Sequence, residues 1–128
     1  MSKGKIQVLT PDINVNAVDQ RGAIYSYIPY DNLTEFVYID TKQGTTRGHH
    51  YHKEFDEYII LTHGEGIYLE MLDDGEIRKI ILGAGQAIYI PKFTPHTFVP
   101  LTDCKSISML TKPWNSCNEP ITTIKGKD

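Results

Sequence analysis

Gly44-Thr-Thr-Arg-Gly-His-His-Tyr-His52, then Lys-Glu-Phe-Asp, then Glu57-Tyr-Ile-Ile-Leu-Thr-His-Gly64 is the stretch that decides the fold. Two extended segments, Arg47 to His52 and Glu57 to Leu61, are separated by a polar stretch able to turn the chain. Gly64-Glu-Gly66 then marks a tight turn. Side chains alternate across a strand, so His50 and His52, one residue apart, point to the same face. Glu57 opens the neighbouring strand and lies within reach of that pair.

The same texture continues in both directions. Ala23–Ile28 and Glu35–Ile39 on one side are rich in aromatic and β-branched residues, as a pleated surface favours. On the other side come Ile67–Met71 and Ile77–Ile81 around the hairpin signal Asp73-Asp-Gly75, followed by Ala87–Ile90, His96–Val99 and Ser106–Leu110. Turn residues recur about every ten positions, and no window of eleven or more keeps a helical apolar period with caps. This reads as an all-β barrel of eight to ten strands. It forms one domain over 1–128, with its core at about 19–111 and a polar, loosely held tail at about 113–128.

Composition sets the outer bounds. The 128 residues, 40% hydrophobic and 23% charged, suit one soluble domain able to bury a core. A formal charge of −3 argues against nucleic-acid binding through bulk basicity. The longest uncharged stretch, Ile80 to Pro91, contains two glycines and is too short to span a bilayer, which argues against a membrane partner. Met1-Ser-Lys-Gly-Lys5 leads into no apolar signal segment, so the expected location is the cytoplasm. The two cysteines, Cys104 on a strand and Cys117 in the tail, form no CxxC pair and are expected as reduced thiols.

His96, after Pro91 and Thr94-Pro95, opens a later strand and joins His50, His52 and Glu57 as candidate ligands. Three imidazoles and a carboxylate suit Zn above all, with Mn, Fe, Ni or Co as further candidates. Of the remaining candidates, His49 has the opposite parity and should point outward. His63 lies in a solvated turn, and Glu54 is too close in sequence to His52 to compete with Glu57. Tyr51, Tyr58, Tyr68 and Tyr89 read as β-forming aromatics, of which one could face a cavity.

Gly44-x5-His50-x-His52-x4-Glu57-x6-Gly64 and Gly85-x5-Pro91-x4-His96 resemble the two motifs of the cupin superfamily over about residues 19–111. The resemblance implies a single-domain cupin, a double-stranded β-helix or jelly-roll barrel. Phe93 stands where the second motif usually has glycine, and Pro100 where it usually has asparagine. With Asp19-x-Arg21-Gly22 and Arg47-Gly48, the framework resembles the sugar-nucleotide branch. In the dTDP-4-dehydrorhamnose 3,5-epimerases the residue at His50 is a base and position 52 is normally glutamine. In the 3,4-ketoisomerases both histidines are present and position 57 is normally glutamine. The zinc cupin domain of a bifunctional capsular-polysaccharide enzyme is nearest: Arg47-Gly-His-His-Tyr-His52, Glu57 and Thr94-Pro-His96 follow its pattern.

The resemblance implies an isomerase or epimerase of a nucleotide-linked 4-keto sugar, made for surface polysaccharide, that abstracts a proton next to the ketone. Arg21 and Arg47 match positions that contact the nucleotide phosphates, as a guanidinium fork can. His50, His52, Glu57 and His96 are the expected metal ligands; in a metal-free site His50, His52 and His96 would be the catalytic groups. The alternatives are an Fe(II)-dependent cupin oxygenase and a non-catalytic small-molecule-binding cupin. A homodimer is expected by analogy.

Overall fold

The structure is a computed structural model that describes residues 4–12 and 17–124. Its elements are the strands β1 (Gln7–Val8), β2 (Ala17–Asp19), β3 (Gly22–Ile24), β4 (Glu35–Thr41), β5 (Arg47–Tyr51) and β6 (Glu57–His63), then β7 (Glu65–Met71), β8 (Ile77–Gly83), β9 (Ala87–Ile90), β10 (His96–Pro100), β11 (Cys104–Leu110) and β12 (Thr122–Thr123), with one short 3-10 turn at Trp114–Ser116. Two five-stranded antiparallel sheets, ordered β1-β9-β6-β11-β4 and β12-β5-β10-β7-β8, make up the jelly roll. The β2–β3 hairpin forms a small sheet of its own.

Alternation along the strands decides what each face does. On β7, Tyr68 and Glu70 are buried; on β10, His96 and Phe98; on β11, Cys104, Ser106, Ser108 and Leu110. Leu61, Leu82, Ile88, Ile90, Ile59 and Phe98 fill one part of the interior as an apolar cluster. Ser106 and Ser108 are too small to fill the space beside it, and Glu57 and His96 enter from the starts of β6 and β10. One part of the barrel is therefore packed, and the other keeps room for a polar site.

Two expectations are corrected here. The extended segment expected over Ala23–Ile28 stops at Ile24, because its chain belongs to the detached β2–β3 hairpin. The tail is not loose over 113–124. Its β12 pairs with β5 (Thr122 with Tyr51, Thr123 with His50), and Ile124 N–H donates to the His49 carbonyl at 3.0 Å. The expectation for 125–128 lies outside the described residues.

Candidate active site and metal centre

His50 reaches the interior through an irregular strand. Gly48 (φ 97°) and His49 (φ 60°) both have positive φ, and the β5–β10 register skips between them: His96 faces His50, while Thr97 faces Gly48. His49 is thus the extra residue of a β-bulge. Its side chain is exposed, with Nδ1 3.4 Å from Thr97 Oγ1, so it does point away from the cavity, although the bulge rather than simple alternation puts it there. A side chain at Gly48 would not fit, because a Cβ there would lie 2.9 Å from the His96 carbonyl oxygen. Glycine lets β5 approach β10 closely enough to set His50 directly across from His96.

The three imidazoles meet. The ring of His50 lies 4.7 Å from that of His52 and 4.9 Å from that of His96, centre to centre. One donor nitrogen from each falls within 4.8 Å of the others. Glu57 stands beside two of them, its Oε1 3.3 Å from His52 Nε2 and 3.8 Å from His96 Nε2. The Ser108 hydroxyl donates to its other oxygen. These groups line a cavity of about 430 Å³ with Tyr68, Phe98, Ile39, Ile59 and Trp114 among its walls and Arg47 among its lining residues. That volume lies within the roughly 300–1,000 Å³ of small-molecule sites.

Hydrogen bonds on the far side of two rings decide which nitrogen faces inward. A carbonyl oxygen can only accept, so His96 Nδ1 donates to the Thr94 carbonyl at 2.8 Å and His52 Nδ1 to the Pro120 carbonyl at 2.9 Å. Both rings therefore turn Nε2 toward the others. His52 Nε2 is fully buried and has no hydrogen bond of acceptable geometry, despite its ion-pair distance to Glu57. An unsatisfied buried polar atom costs about 1–3 kcal/mol, so this nitrogen is built to receive either a proton shared with Glu57 or a metal ion. Three imidazole nitrogens, two of them on rings whose other nitrogen is held by a carbonyl, with a carboxylate alongside, are the donor set of a zinc-type centre. The residues present fit such an ion.

The charges are divided unevenly. Burial pulls the His50 pKa down, helped by the two neighbouring imidazoles, to about 4. Burial also holds His96 below its ordinary value, although Glu57 and the Thr94 carbonyl work against it. For His52 burial again acts downward, but the Glu57 carboxylate and the Pro120 carbonyl outweigh it, and the net shift is upward. Glu57 is the counterpart: burial would raise it, yet His52, His96 and the Ser108 hydroxyl hold it well below the usual carboxylate range.

The two arginines part company. Arg47 lines the cavity, its Nε donating to Thr41 Oγ1 at 2.9 Å. Arg21 sits in the β2–β3 turn, where its guanidinium is bound to the Asp19 carboxylate at 2.7 Å, and it lies outside the lining of the histidine cavity in the same chain. The two-residue turn that brings Asp19 and Arg21 together explains this, and Asp19-x-Arg21 could have been read as a local pair. Of the four tyrosines, Tyr68 is the one that lines the cavity; it is almost completely buried, and burial pushes its phenol pKa up. Glu54 turns outward to Lys112 and the Glu119 N–H.

Sequence reasoning missed three contributors. Trp114 and Ile121, in the supposedly loose tail, line the cavity, and Ser108 holds Glu57. A lone tryptophan in an otherwise polar segment was the available signal for the first.

The structure is similar to several solved ones. A 3,4-ketoisomerase from Helicobacter canadensis superposes with a TM-score of 0.75 at 21% identity, over 89% of this chain and 88% of that one. The dTDP-6-deoxy-D-glucose-3,5-epimerase RmlC from Legionella pneumophila, in complex with dTDP-4-keto-L-rhamnose, gives 0.69 at 18% identity, over 93% and 77%. The capsular polysaccharide assembling protein CapF from Staphylococcus aureus gives 0.66 at 20% identity, over 88% of this chain and 34% of that much longer one. At these identities the likeness establishes a common fold. No curated protein sequence matches the chain significantly. The Cupin domain family model matches residues 37–110, more than half of the 128, and includes all three inward imidazoles and Glu57; the chain belongs to the cupin domain family.

Proposed function

We propose that this cupin is a metal-binding isomerase or epimerase of a nucleotide-linked 4-keto sugar, serving surface polysaccharide synthesis. The observation that carries the reading is the convergence of His50, His52, His96 and Glu57 in one cavity lined in part by Arg47. Support for the substrate class comes from the similar folds of a 3,4-ketoisomerase and of a 3,5-epimerase holding a dTDP-4-keto sugar.

The reaction requires removal of a proton from the carbon beside a ketone and stabilisation of the oxyanion that develops. His50 is neutral at pH 7, and no hydrogen bond to its ring is found among the described residues. In a metal-free site its lone pair is free to take that proton. Burial keeps the Tyr68 phenol protonated, as a donor for the oxyanion. Arg47 is the group for a phosphate of the nucleotide. Ile39, Ile59 and Phe98 keep water from the cavity wall.

A divalent ion, zinc foremost, would be held by His50, His52 and His96 with Glu57 alongside, and would supply Lewis-acid polarisation of the ketone oxygen. An imidazole lone pair serves as ligand or as base, never both. The buried, unbonded His52 Nε2 favours the metal-bound form, in which the base is a group other than the three imidazoles.

Elemental analysis of the purified protein tests the metal. The expected result is near-stoichiometric metal in the wild type and its loss in His50→Ala and Glu57→Ala. A panel of dTDP- and UDP-linked 4-keto sugars in deuterated water tests the chemistry, with deuterium expected beside the ketone of at least one. No incorporation, or oxygen consumption on addition of Fe(II), would overturn the isomerase reading.

The proposal includes a cytoplasmic homodimer. Both cysteines are free thiols, and no helix among the described residues is long and apolar enough to cross a membrane. Among the described residues, strand β4 ends its sheet with an unpaired edge and exposes Phe36 and Tyr38, a surface that suits a second copy.

A further inference from the structure

We infer that the C-terminal segment 112–124 is a strap that holds the His52 proton on Nδ1, and that Glu54 is the positioning residue that fastens it. The acceptor for that proton is the Pro120 carbonyl, 68 positions away in sequence. The strap runs along the histidine-bearing strand as β12 and is joined to it again at Ile124 N–H and the His49 carbonyl. It also supports the ring from the side. Trp114 packs on Phe55 with ring centres 6.1 Å apart, and Phe55 stacks on His52 at 4.4 Å and 27°.

The two residues directly after His52 do the fastening. Glu54 uses both carboxylate oxygens on the strap, accepting from Lys112 Nζ at 2.9 Å and from the Glu119 N–H at 2.7 Å. Lys53 Nζ lies 3.1 Å from Glu119 Oε2, which also accepts from the Thr122 hydroxyl. These contacts fall at both ends of the loop that presents the Pro120 carbonyl, so its position relative to His52 is set by residues adjacent to His52 itself.

The chemical consequence follows from the imidazole inventory. A neutral ring carries one N–H, and a carbonyl opposite Nδ1 forces it there, leaving the Nε2 lone pair for the cavity. Without the strap, Nδ1 faces water and the proton is shared between the two nitrogens. Each ring with its proton on Nε2 is then lost as a donor to the three-imidazole cluster. Only the consequence for turnover rests on the function proposed above; the proton's position does not.

The test is NMR of the full-length, substrate-free protein. Long-range proton–nitrogen correlations of the histidine rings, together with direct detection of Nδ1–H, are compared for wild type, Glu54→Ala and Glu54→Gln. Glutamine keeps an acceptor for the Glu119 N–H. A protected Nδ1–H is expected for both His52 and His96 in the wild type and in Glu54→Gln. In Glu54→Ala the His52 signal is lost while that of His96 persists, and Lys53→Ala gives the same change with smaller amplitude. The inference is overturned if the wild type lacks the His52 signal, if Glu54→Ala retains it, or if His96 loses its signal alongside. Failure of the keto-sugar panel would remove the functional reading and leave these spectra untouched.

Discussion

His52 and His96 present the same nitrogen to the same cavity, yet the chain secures them by opposite means. His96 is capped by the carbonyl of Thr94, two residues earlier, within a loop whose two prolines restrict it. His52 is capped by Pro120, from a segment that must first cross the molecule and be fastened. A local cap forms wherever its loop forms. A remote cap makes one ligand depend on the far end of the chain. Of the two, His52 is also the ring whose pKa Glu57 shifts upward, so the residue with the more consequential protonation is the one held from a distance.

The strongest way to break this comparison is to damage the frame that both rings share. Gly48→Ala places a methyl group 2.9 Å from the His96 carbonyl oxygen, at a φ of 97° that alanine avoids. Strand β5 must then move away from β10. A loss of about 3 kcal/mol in urea unfolding is expected, with disruption of the His52 and His96 ring signals together. A selective loss at His52 would show that the bulge holds only its own strand.

How much of this was legible in the sequence follows the same division. The spacing His50-x-His52 and Glu57, with Pro91 and Thr94-Pro95 before His96, carried the convergence, because strand parity and proline-bounded turns are local properties. The strap was illegible because Asn115, Ser116, Asn118 and Pro120 have the composition of a solvated tail. What they contribute is a backbone carbonyl, and a carbonyl has no signature in residue type. Arg21 suits a phosphate by residue type, and its pairing with Asp19 across the hairpin turn could have been read from Asp19-x-Arg21. The bulge at His49 was half legible, since Gly48 flags an unusual backbone whereas histidine at φ 60° does not.

Metal binding sharpens the comparison through protons. A ligand nitrogen must be unprotonated, so any proton on a ring at the working pH is released when the ion binds. His50 and His96 are held below 6.5 and are already neutral at pH 7, while His52 is held above 6.5 by Glu57. Any proton released on zinc binding at pH 7 should therefore come from His52, in an amount that falls as the pH rises through its upward-shifted pKa. Apparent affinity should rise with pH until His52 has titrated and then level off. Calorimetry in buffers of different ionisation enthalpy measures the number; a value near zero would mean that His52 is neutral despite Glu57.

The smallest effect is expected at Phe93, which lies in the β9–β10 loop that carries the His96 cap. Its N–H donates to the His52 carbonyl at 2.8 Å, and the next residue, Thr94, supplies the carbonyl for His96. Phe93 has φ 60°, a conformation that a side chain disfavours by about 1–2 kcal/mol and that glycine adopts freely. The ring is 55% exposed, so it returns little of that strain through burial. Phe93→Gly should raise stability by about 1 kcal/mol, the extra freedom of glycine in the unfolded chain offsetting part of the relief. Both Nδ1–H signals should remain, since neither cap uses the phenyl ring. A fall in stability would instead assign weight to the packing of Phe93 on Tyr51, whose ring centre is 6.3 Å away, and would make the strained loop part of what holds His96 in place.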